Sequence, residues 1–191
     1  MKIIGYIFVI VLIIGCNSTE FNSTGNVVGI SDKYGIPISC RTKKIVGYSK
    51  NKKEIKVDYS FALFTAEAFL KKKQVRLTKK ELYEIKGEYV LMYQIKTGDK
   101  GYKVTDLQSE FTTLDDKKKY LLQEVIDDIH LLQNDNVFYP IGHFYEDFNR
   151  SGQEMRIIFY FKNINQKQPV KVVINDRLIN NGLLNFSLQT L

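Results

Sequence analysis

The sequence predicts a mainly β fold, an antiparallel β-sandwich of about eight strands. Apolar and polar residues alternate with a period of two in several segments, which is typical of half-buried strands. Polar turn-forming residues separate these segments at intervals of roughly 8–15 residues, as in sandwich domains. The composition is 44% apolar with 2 Cys and 3 Pro, which excludes collagen-like, disordered and disulfide-framework chains. The pattern also allows one short helix, and an α+β fold with a helix over residues 114–133 is the alternative.

The first strands are predicted before residue 64. Residues 54–63 alternate strictly, with one apolar face formed by Ile55, Val57, Tyr59, Phe61 and Leu63. Residues 43–49 predict a preceding strand, and the polar residues 51–53 predict the hairpin turn between the two. Residues 66–86 are ambiguous. Thr78 and Glu81 are typical of a capping box that opens a short helix, whereas residues 74–77 alternate as a strand would.

A second hairpin is predicted around residue 100. Residues 88–96 alternate, with one face formed by Tyr89, Leu91, Tyr93 and Ile95. The turn residues 97–101 lead to Tyr102 and Val104, which we expect to begin the returning strand.

Residues 114–133 support two interpretations. A helical stripe, with Thr113 or Asp115 as the N-cap, is formed by Leu121, Leu122, Val125, Ile126, Ile129 and Leu132. The alternative is a strand at 129–132, a turn at 133–136 and a strand at 137–139, and the strong turn chemistry of the polar residues favours strands. Pro140 then ends the pairing locally. The last strands are predicted at 155–161, 170–174 and 183–188.

The amino terminus has the pattern of an export signal. Lys2 precedes the charge-free apolar residues 3–14, which as a helix reach about 18 Å, well short of the ~30 Å hydrocarbon core. We therefore expect a signal peptide at residues 1–15 and no membrane span. The segment ends in Leu12-Ile13-Ile14-Gly15-Cys16, which resembles the lipobox of bacterial lipoproteins.

The lipobox resemblance implies a lipid anchor on Cys16. In that family the cysteine carries a diacylglyceride and usually an N-acyl chain (palmitate among them), and two or three chains hold a protein on a membrane stably. The implied organisation is an acylated cysteine with a flexible tether at residues 16–26 and a single β-rich domain at 27–191. Asn17 stands where Asp would favour inner-membrane retention, so the resemblance implies the outer membrane if the host has two membranes.

A second resemblance covers less than a fifth of the chain. Residues 120–147 contain Asp128-Ile129 before a polar turn, then Tyr139-Pro140 and Phe144-Tyr145-Glu146. This stretch is similar to a segment in uncharacterised small lipoproteins of the Bacteroidetes. The resemblance implies no activity.

The positive charge is concentrated in one segment. Residues 41–80 hold thirteen basic and three acidic residues, whereas residues 81–191 hold thirteen and sixteen. Exposed cations attract anionic surfaces within about a Debye length, ~8–10 Å, so the expected partners are the membrane that the anchor reaches and an envelope protein or anionic envelope polymer. A solvated lysine-rich face is the alternative. Nucleic acid is not an expected partner of an exported chain.

The sequence contains no convincing catalytic set. Potential ligands are dense only around His130, His143 and the neighbouring carboxylates, and without a helix His143 and Glu146 would not share a face. There is no Gly-x-Ser-x-Gly elbow for a Ser-His-Asp triad, and we expect Asp115-Asp116 and Asp127-Asp128 to be solvated. We predict no metal, cofactor or catalytic residue, and we expect Cys40 to be a small buried apolar side chain.

The expected function is therefore non-enzymatic binding or assembly at the cell envelope, with the ligand unknown. A candidate recognition surface lies in one aromatic, loop-rich stretch and is formed by Tyr139, His143, Phe144, Tyr145 and Phe148. The alternatives are an anchored hydrolase or metal-dependent enzyme that uses His130, His143, Glu146 or Asp147, and a carrier that holds an apolar ligand between sheet and helix.

Overall fold

The computed structural model describes residues 37–99, 101–146, 152–165 and 167–188. In these ranges it confirms the mainly β fold, because nine strands form two antiparallel sheets. The strands are β1 (Ser39–Tyr48), β2 (Glu54–Thr65), β3 (Glu88–Thr97), β4 (Ile129–Gln133), β5 (Asn136–Phe138), β6 (Gly142–Glu146), β7 (Glu154–Lys162), β8 (Val170–Asp176) and β9 (Gly182–Leu188). One sheet has the order β1-β2-β3-β7-β6 and the other β5-β4-β8-β9.

The two sheets enclose one aromatic core. The five-stranded sheet supplies Phe61 and Tyr93, whose rings stack with centroids 4.7 Å apart and an interplanar angle of 2°. Phe186 of β9 reaches across from the other sheet, with its ring centroid 4.5 Å from that of Phe61. The apolar face predicted for residues 54–63 is therefore the inner face of β2, and its five residues are all buried.

A second, smaller core covers part of the outer face of the five-stranded sheet. Phe64 of β2 and Met92 of β3 pack there against Phe69 of the helix α1 (Ala66–Lys72). The ring of Phe69 meets the edge of Phe64 at a centroid distance of 5.8 Å. Consequently the last residues of β2 are buried on both faces. Cys40 is half-buried and packs against this smaller core.

The helical content exceeds the single short helix that the sequence allowed. Besides α1, the described residues contain α2 (Lys79–Glu84) and α3 (Leu114–Lys119). The capping box predicted at α2 is confirmed, because Thr78 accepts from the Glu81 amide at 3.3 Å and Glu81 accepts from the Thr78 amide at 2.7 Å. The strand alternative for residues 74–77 is wrong. None of the described helices is long and apolar enough to cross a membrane.

The strand–turn–strand interpretation of residues 129–139 is confirmed, because β4 and β5 form the predicted hairpin. The alternative of a helix over residues 114–133 is right only for the part that precedes β4. The preceding chain is helical throughout: α3 continues as a π-helix at Tyr120–Glu124 and a 3-10 helix at Val125–Asp128. The widened turn keeps Tyr120, Leu121 and Val125 on the core side, where all three are buried.

Two further expectations are corrected by pairing between distant strands. Tyr102 and Val104 do not form a strand, because β3 pairs with β2 on one side and with β7 on the other. Val104 begins a 3-10 helix (Val104–Asp106) instead. The stretch expected to be loop-rich after Pro140 contains β6, which pairs with the edge of β7.

Candidate functional site

A cleft of about 510 Å³ opens beside the β1–β2 turn, next to the chain that links the Val104–Asp106 helix to α3. The isolated bridge between Ser49 and Leu107 and the hydrogen bond from the Gln108 amide to the Tyr48 carbonyl (2.6 Å) fix this chain against the end of β1. The cleft is lined by Lys50, Lys52, Thr105, Asp106, Leu107, Gln108, Ser109, Phe111, Thr112, Thr113, Leu114 and Lys117.

Lys117 of α3 is the unusual residue of this lining. Its exposed fraction is 5%, whereas lysine is seldom buried without a partner. Its Nζ donates to the carbonyl oxygens of Leu107 (3.3 Å) and Thr105 (3.4 Å), so the charge rests against carbonyl dipoles. Burial, with a further contribution from the positive charge of Lys50, lowers the pKa of Lys117 to about 8.

The cleft is cationic at neutral pH. Lys50 and Lys52 are exposed on the β1–β2 turn, and Lys52 has a φ of 61° as turn residues can. Asp106 is the one carboxylate among the described residues of the lining, and its side chain accepts from the Lys103 amide at 2.9 Å. Three lysines thus face one aspartate, and a strongly perturbed titratable group in a cleft is a recognised indicator of function.

An adjoining cleft of about 250 Å³ shares Phe111 and Thr112 with the first and has carboxylates in its lining. Arg177 neutralises part of this charge: its Nε lies 2.8 Å from Glu110, and its guanidinium also lies 3.8 Å from Glu124 and 3.6 Å from Asp128. The guanidinium packs over the rings of Phe111 and Tyr120 at 5.1 Å. The two clefts therefore differ in charge, and an anion fits the lysine-lined one.

The structure divides the aromatic recognition candidates between two faces. His143 and Tyr145 of β6 point inward, and the His143 ring stacks on Phe159 with centroids 6.0 Å apart. Phe144 points outward and is 55% exposed. Tyr139 is exposed beside His130, with ring centroids 5.9 Å apart. Phe148 lies outside the described residues, as does Cys16.

The residues considered for hydrolase or metal chemistry do not converge in the described part of the chain. Nε2 of His143 lies 3.0 Å from the Leu121 carbonyl. Glu146 is on the opposite face of β6, where Lys73 binds it at 3.1 Å. Asp147 lies outside the described residues, and the described residues contain no group of three or more His, Cys, Asp or Glu placed to hold a metal ion.

The paired carboxylates have separate local roles. Asp116 accepts from the Thr113 hydroxyl at 2.6 Å, and this hydrogen bond holds the pKa of its exposed carboxyl below the ordinary value. Asp115 is exposed in the same first turn. Asp128 accepts from the Asn175 amide group at 3.1 Å, and Asp127 is exposed.

Sequence reasoning missed Lys117 and its cleft. Lys117 stands in the run Lys117-Lys118-Lys119, and its burial depends on the packing of α3 against the carbonyls of Thr105 and Leu107, which the run itself does not indicate. Lys50 and Lys52 belong to the basic segment 41–80, so the charge distribution was a real signal for half of the site.

Comparisons with known proteins identify no relative of this chain, so its site is described by geometry alone. Neither the protein-family models nor the curated proteins nor the solved structures compared with this chain match it.

Proposed function

We propose that this chain is a lipid-anchored protein of the bacterial envelope whose sandwich domain binds an anionic ligand in the lysine-lined cleft, without a reaction. The observation that carries the binding role is the inward-facing Lys117 with Lys50 and Lys52 at the same cleft. The anchor is supported by Gly15-Cys16 at the end of the apolar segment. The outer membrane is the favoured site if the host has two.

The dimensions of the cleft suit a small charged group. A volume of about 510 Å³ lies in the range of small-molecule sites. Threonine and serine hydroxyls add donors beside the lysines, and Lys side chains bind phosphate or carboxylate as point charges. The ligand class is therefore a phosphate- or carboxylate-bearing molecule, free or as the charged unit of an envelope polymer.

Binding, rather than catalysis, is supported by how Lys117 is held. Its Nζ is directed at two main-chain carbonyls, and a pKa of about 8 leaves it mostly protonated at pH 7. In this protonated form the ammonium group attracts anions as a point charge.

Titration of the purified full chain with inorganic phosphate tests the cleft. At pH 7 we expect saturable binding that Lys117→Met weakens by at least about tenfold, or about 1.4 kcal/mol. Lys118→Met is the matched control, because Lys118 is exposed on the same helix and does not line the cleft. Calorimetry at constant ionic strength measures the phosphate affinity of both variants.

Lys52→Met provides a second variant should Lys117→Met fold poorly, since Lys52 is exposed in a turn. A purely structural Lys117 would lower the unfolding midpoint and leave phosphate affinity at the Lys118→Met value. Equal affinities in all four proteins, or no saturable binding by the unmodified chain, would contradict the proposal.

Metabolic labelling with palmitate in a bacterial host tests the anchor. We expect label on the unmodified chain and none on Cys16→Ser, because the thioether needs that sulfur. Cys40→Ser is the matched control, since it removes the other cysteine and keeps the lipobox. Label on Cys16→Ser, or its absence from the unmodified protein, would refute the anchor.

A further inference from the structure

The segment that follows the buried part of α1 has few attachments to the sheet among the described residues: apolar packing at its two ends and an ion pair between Lys73 and Glu146 of β6. Phe69 is buried in the smaller core, and Leu70 and Ile85 pack against it. Between them, every residue from 71 to 84 is exposed or half-buried, and α2 contains no buried residue at all. We call residues 71–87 the helical flap.

The helical flap carries three large apolar side chains that are partly or largely exposed to solvent. Tyr83 is 79% exposed, Val75 46% and Leu82 36%. Helices in proteins are stabilised mainly by packing an apolar face, yet α2 contains no buried residue and relies on its capping box, the Lys80–Glu84 ion pair and the contact of its C-cap Ile85 with the smaller core. Three large apolar residues on one short surface segment therefore indicate a surface made for contact.

The helical flap is also strongly cationic. It holds seven basic residues and two acidic residues. Glu81 is committed to the Thr78 cap at 2.7 Å, and Glu84 lies 3.8 Å from Lys80. Among the described residues, ion pairs engage Lys73 and Lys80 of the flap, whereas none is formed by Lys71, Lys72, Arg76, Lys79 or Lys86.

We propose that the helical flap docks on an anionic phospholipid surface. The unpaired cations complement lipid phosphates, and such attraction acts only within about a Debye length of the surface. Tyr83 suits the headgroup boundary, where an amphipathic ring keeps its hydroxyl in water. Val75 and Leu82 add apolar area to the same contact, as in interfacial amphipathic segments.

This inference rests on the proposed anchoring for one point only, that the domain works near a membrane. Docking would orient the sandwich with the smaller core toward the lipid. The docking surface itself is separate from the lysine-lined cleft, since the two sets of lining residues do not overlap.

Vesicle sedimentation of the full chain carrying Cys16→Ser tests docking without the lipid anchor. We expect binding to phosphatidylcholine vesicles that contain phosphatidylglycerol to be at least tenfold tighter than to phosphatidylcholine alone. The amino-terminal residues, including Lys2, are the same in every variant, so the comparison between variants isolates the contribution of the flap charges. Added salt should reduce the difference between the two lipids.

Charge reversal assigns the preference to the helical flap. Lys71→Glu with Lys72→Glu and Arg76→Glu should abolish the anionic preference. The matched control makes the same charge change on exposed strand lysines, with Lys43→Glu, Lys44→Glu and Lys171→Glu, and should keep most of the preference. Tyr83→Ser should weaken binding to anionic vesicles several-fold while circular dichroism stays unchanged.

Two outcomes would overturn the docking surface: equal loss in the flap variant and the control variant, or no lipid preference in the starting protein. Phosphate titration of the same flap variant separates the two proposals. Intact phosphate binding with lost vesicle binding is the expected result. If phosphate does not bind the cleft, or if palmitate does not label the chain, the vesicle experiment still tests the docking surface by itself.

Discussion

Lys117 shows how a single side chain can be exceptional while its neighbours are ordinary. Lys118 and Lys119 are exposed on the same helix, whereas Lys117 is buried against two carbonyls. Burial penalises the charged form, and nearby Lys50 adds repulsion, so the pKa of Lys117 falls from 10.5 to about 8. Asp106 and Asp176 oppose the shift.

The shifted pKa predicts a pH dependence of ligand binding. As the pH rises from about 7 to 9, Lys117 loses its proton and phosphate affinity should fall. Inorganic phosphate gains negative charge in the lower part of the same range, which acts in the opposite direction and equally on every variant, so the comparison between variants isolates the effect of Lys117. Lys117→Arg keeps its charge throughout this range and should flatten the profile. Calorimetric titration at several pH values measures the difference, and parallel profiles for the two proteins would contradict it.

The lowered pKa of Lys117 also makes the free energy of unfolding depend on pH, and in the opposite direction to phosphate affinity. Between about pH 8 and 10.5 the folded state has released a proton that the unfolded state still holds. The unfolded state then binds more protons, so the contribution of Lys117 to the free energy of unfolding rises with pH in this window. Weaker phosphate binding above pH 8 is therefore not a sign of unfolding at Lys117.

Asp176 is a second residue whose role the sequence concealed. It stands at the end of β8 with 1% exposure, and it accepts from the Tyr59 hydroxyl and from the Ile179 amide. Burial raises the pKa of its carboxyl despite these hydrogen bonds. The alternation of β2 correctly placed Tyr59 on the inner face, but the partner of its hydroxyl comes from a strand over a hundred residues away.

Among the secondary-structure elements, those with a single clear sequence pattern were predicted correctly. The strict alternation of β2 and the capping box of α2 were both read from adjacent residues, because each depends on chemistry within a few positions. The hairpin of β4 and β5 is a further success: Asn134 and Asp135 adopt positive φ in its turn, as the polar turn residues predict.

The missed elements share a non-local cause. β6 exists because β7 offers an unpaired edge after the polar turn. Residues 102–104 fail to form a strand because β7 occupies the side of β3 that the hairpin would have used. Gly47 is a further case of a position that is determined by distant residues. A Cβ added at Gly47 would lie 3.0 Å from Ile179 and 3.1 Å from Val57. The sequence of residues 43–49 does not indicate this close packing.

For the whole molecule, stability depends on aromatic contacts between the sheets. Phe186 is 3% exposed and contacts both Phe61 and Tyr59 of the opposite sheet. Truncation leaves a cavity between two layers that cannot easily close, so Phe186→Ala should lower the free energy of unfolding by about 3–5 kcal/mol. Urea unfolding followed by circular dichroism measures this loss.

Leu183→Ala on the same strand is the control for Phe186→Ala. Leu183 is 67% exposed, so its truncation should change the free energy of unfolding by less than about 0.5 kcal/mol. Similar losses in the two variants would mean that the sheets do not share a packed core.

The sequence by itself determined the strand-rich fold class, the inner face of β2 and the concentration of positive charge in residues 41–80. These properties depend on neighbours in the chain and on composition, and both are readable without coordinates. It also predicts a signal peptide and lipid anchor, which remain proposals. The tertiary structure alone decided that residues 114–128 are helical, that one lysine of three is buried, and that the aromatic stretch around β6 faces two ways. Each of those outcomes depends on which distant segment fills the space beside it, and one-dimensional periodicity does not contain that information.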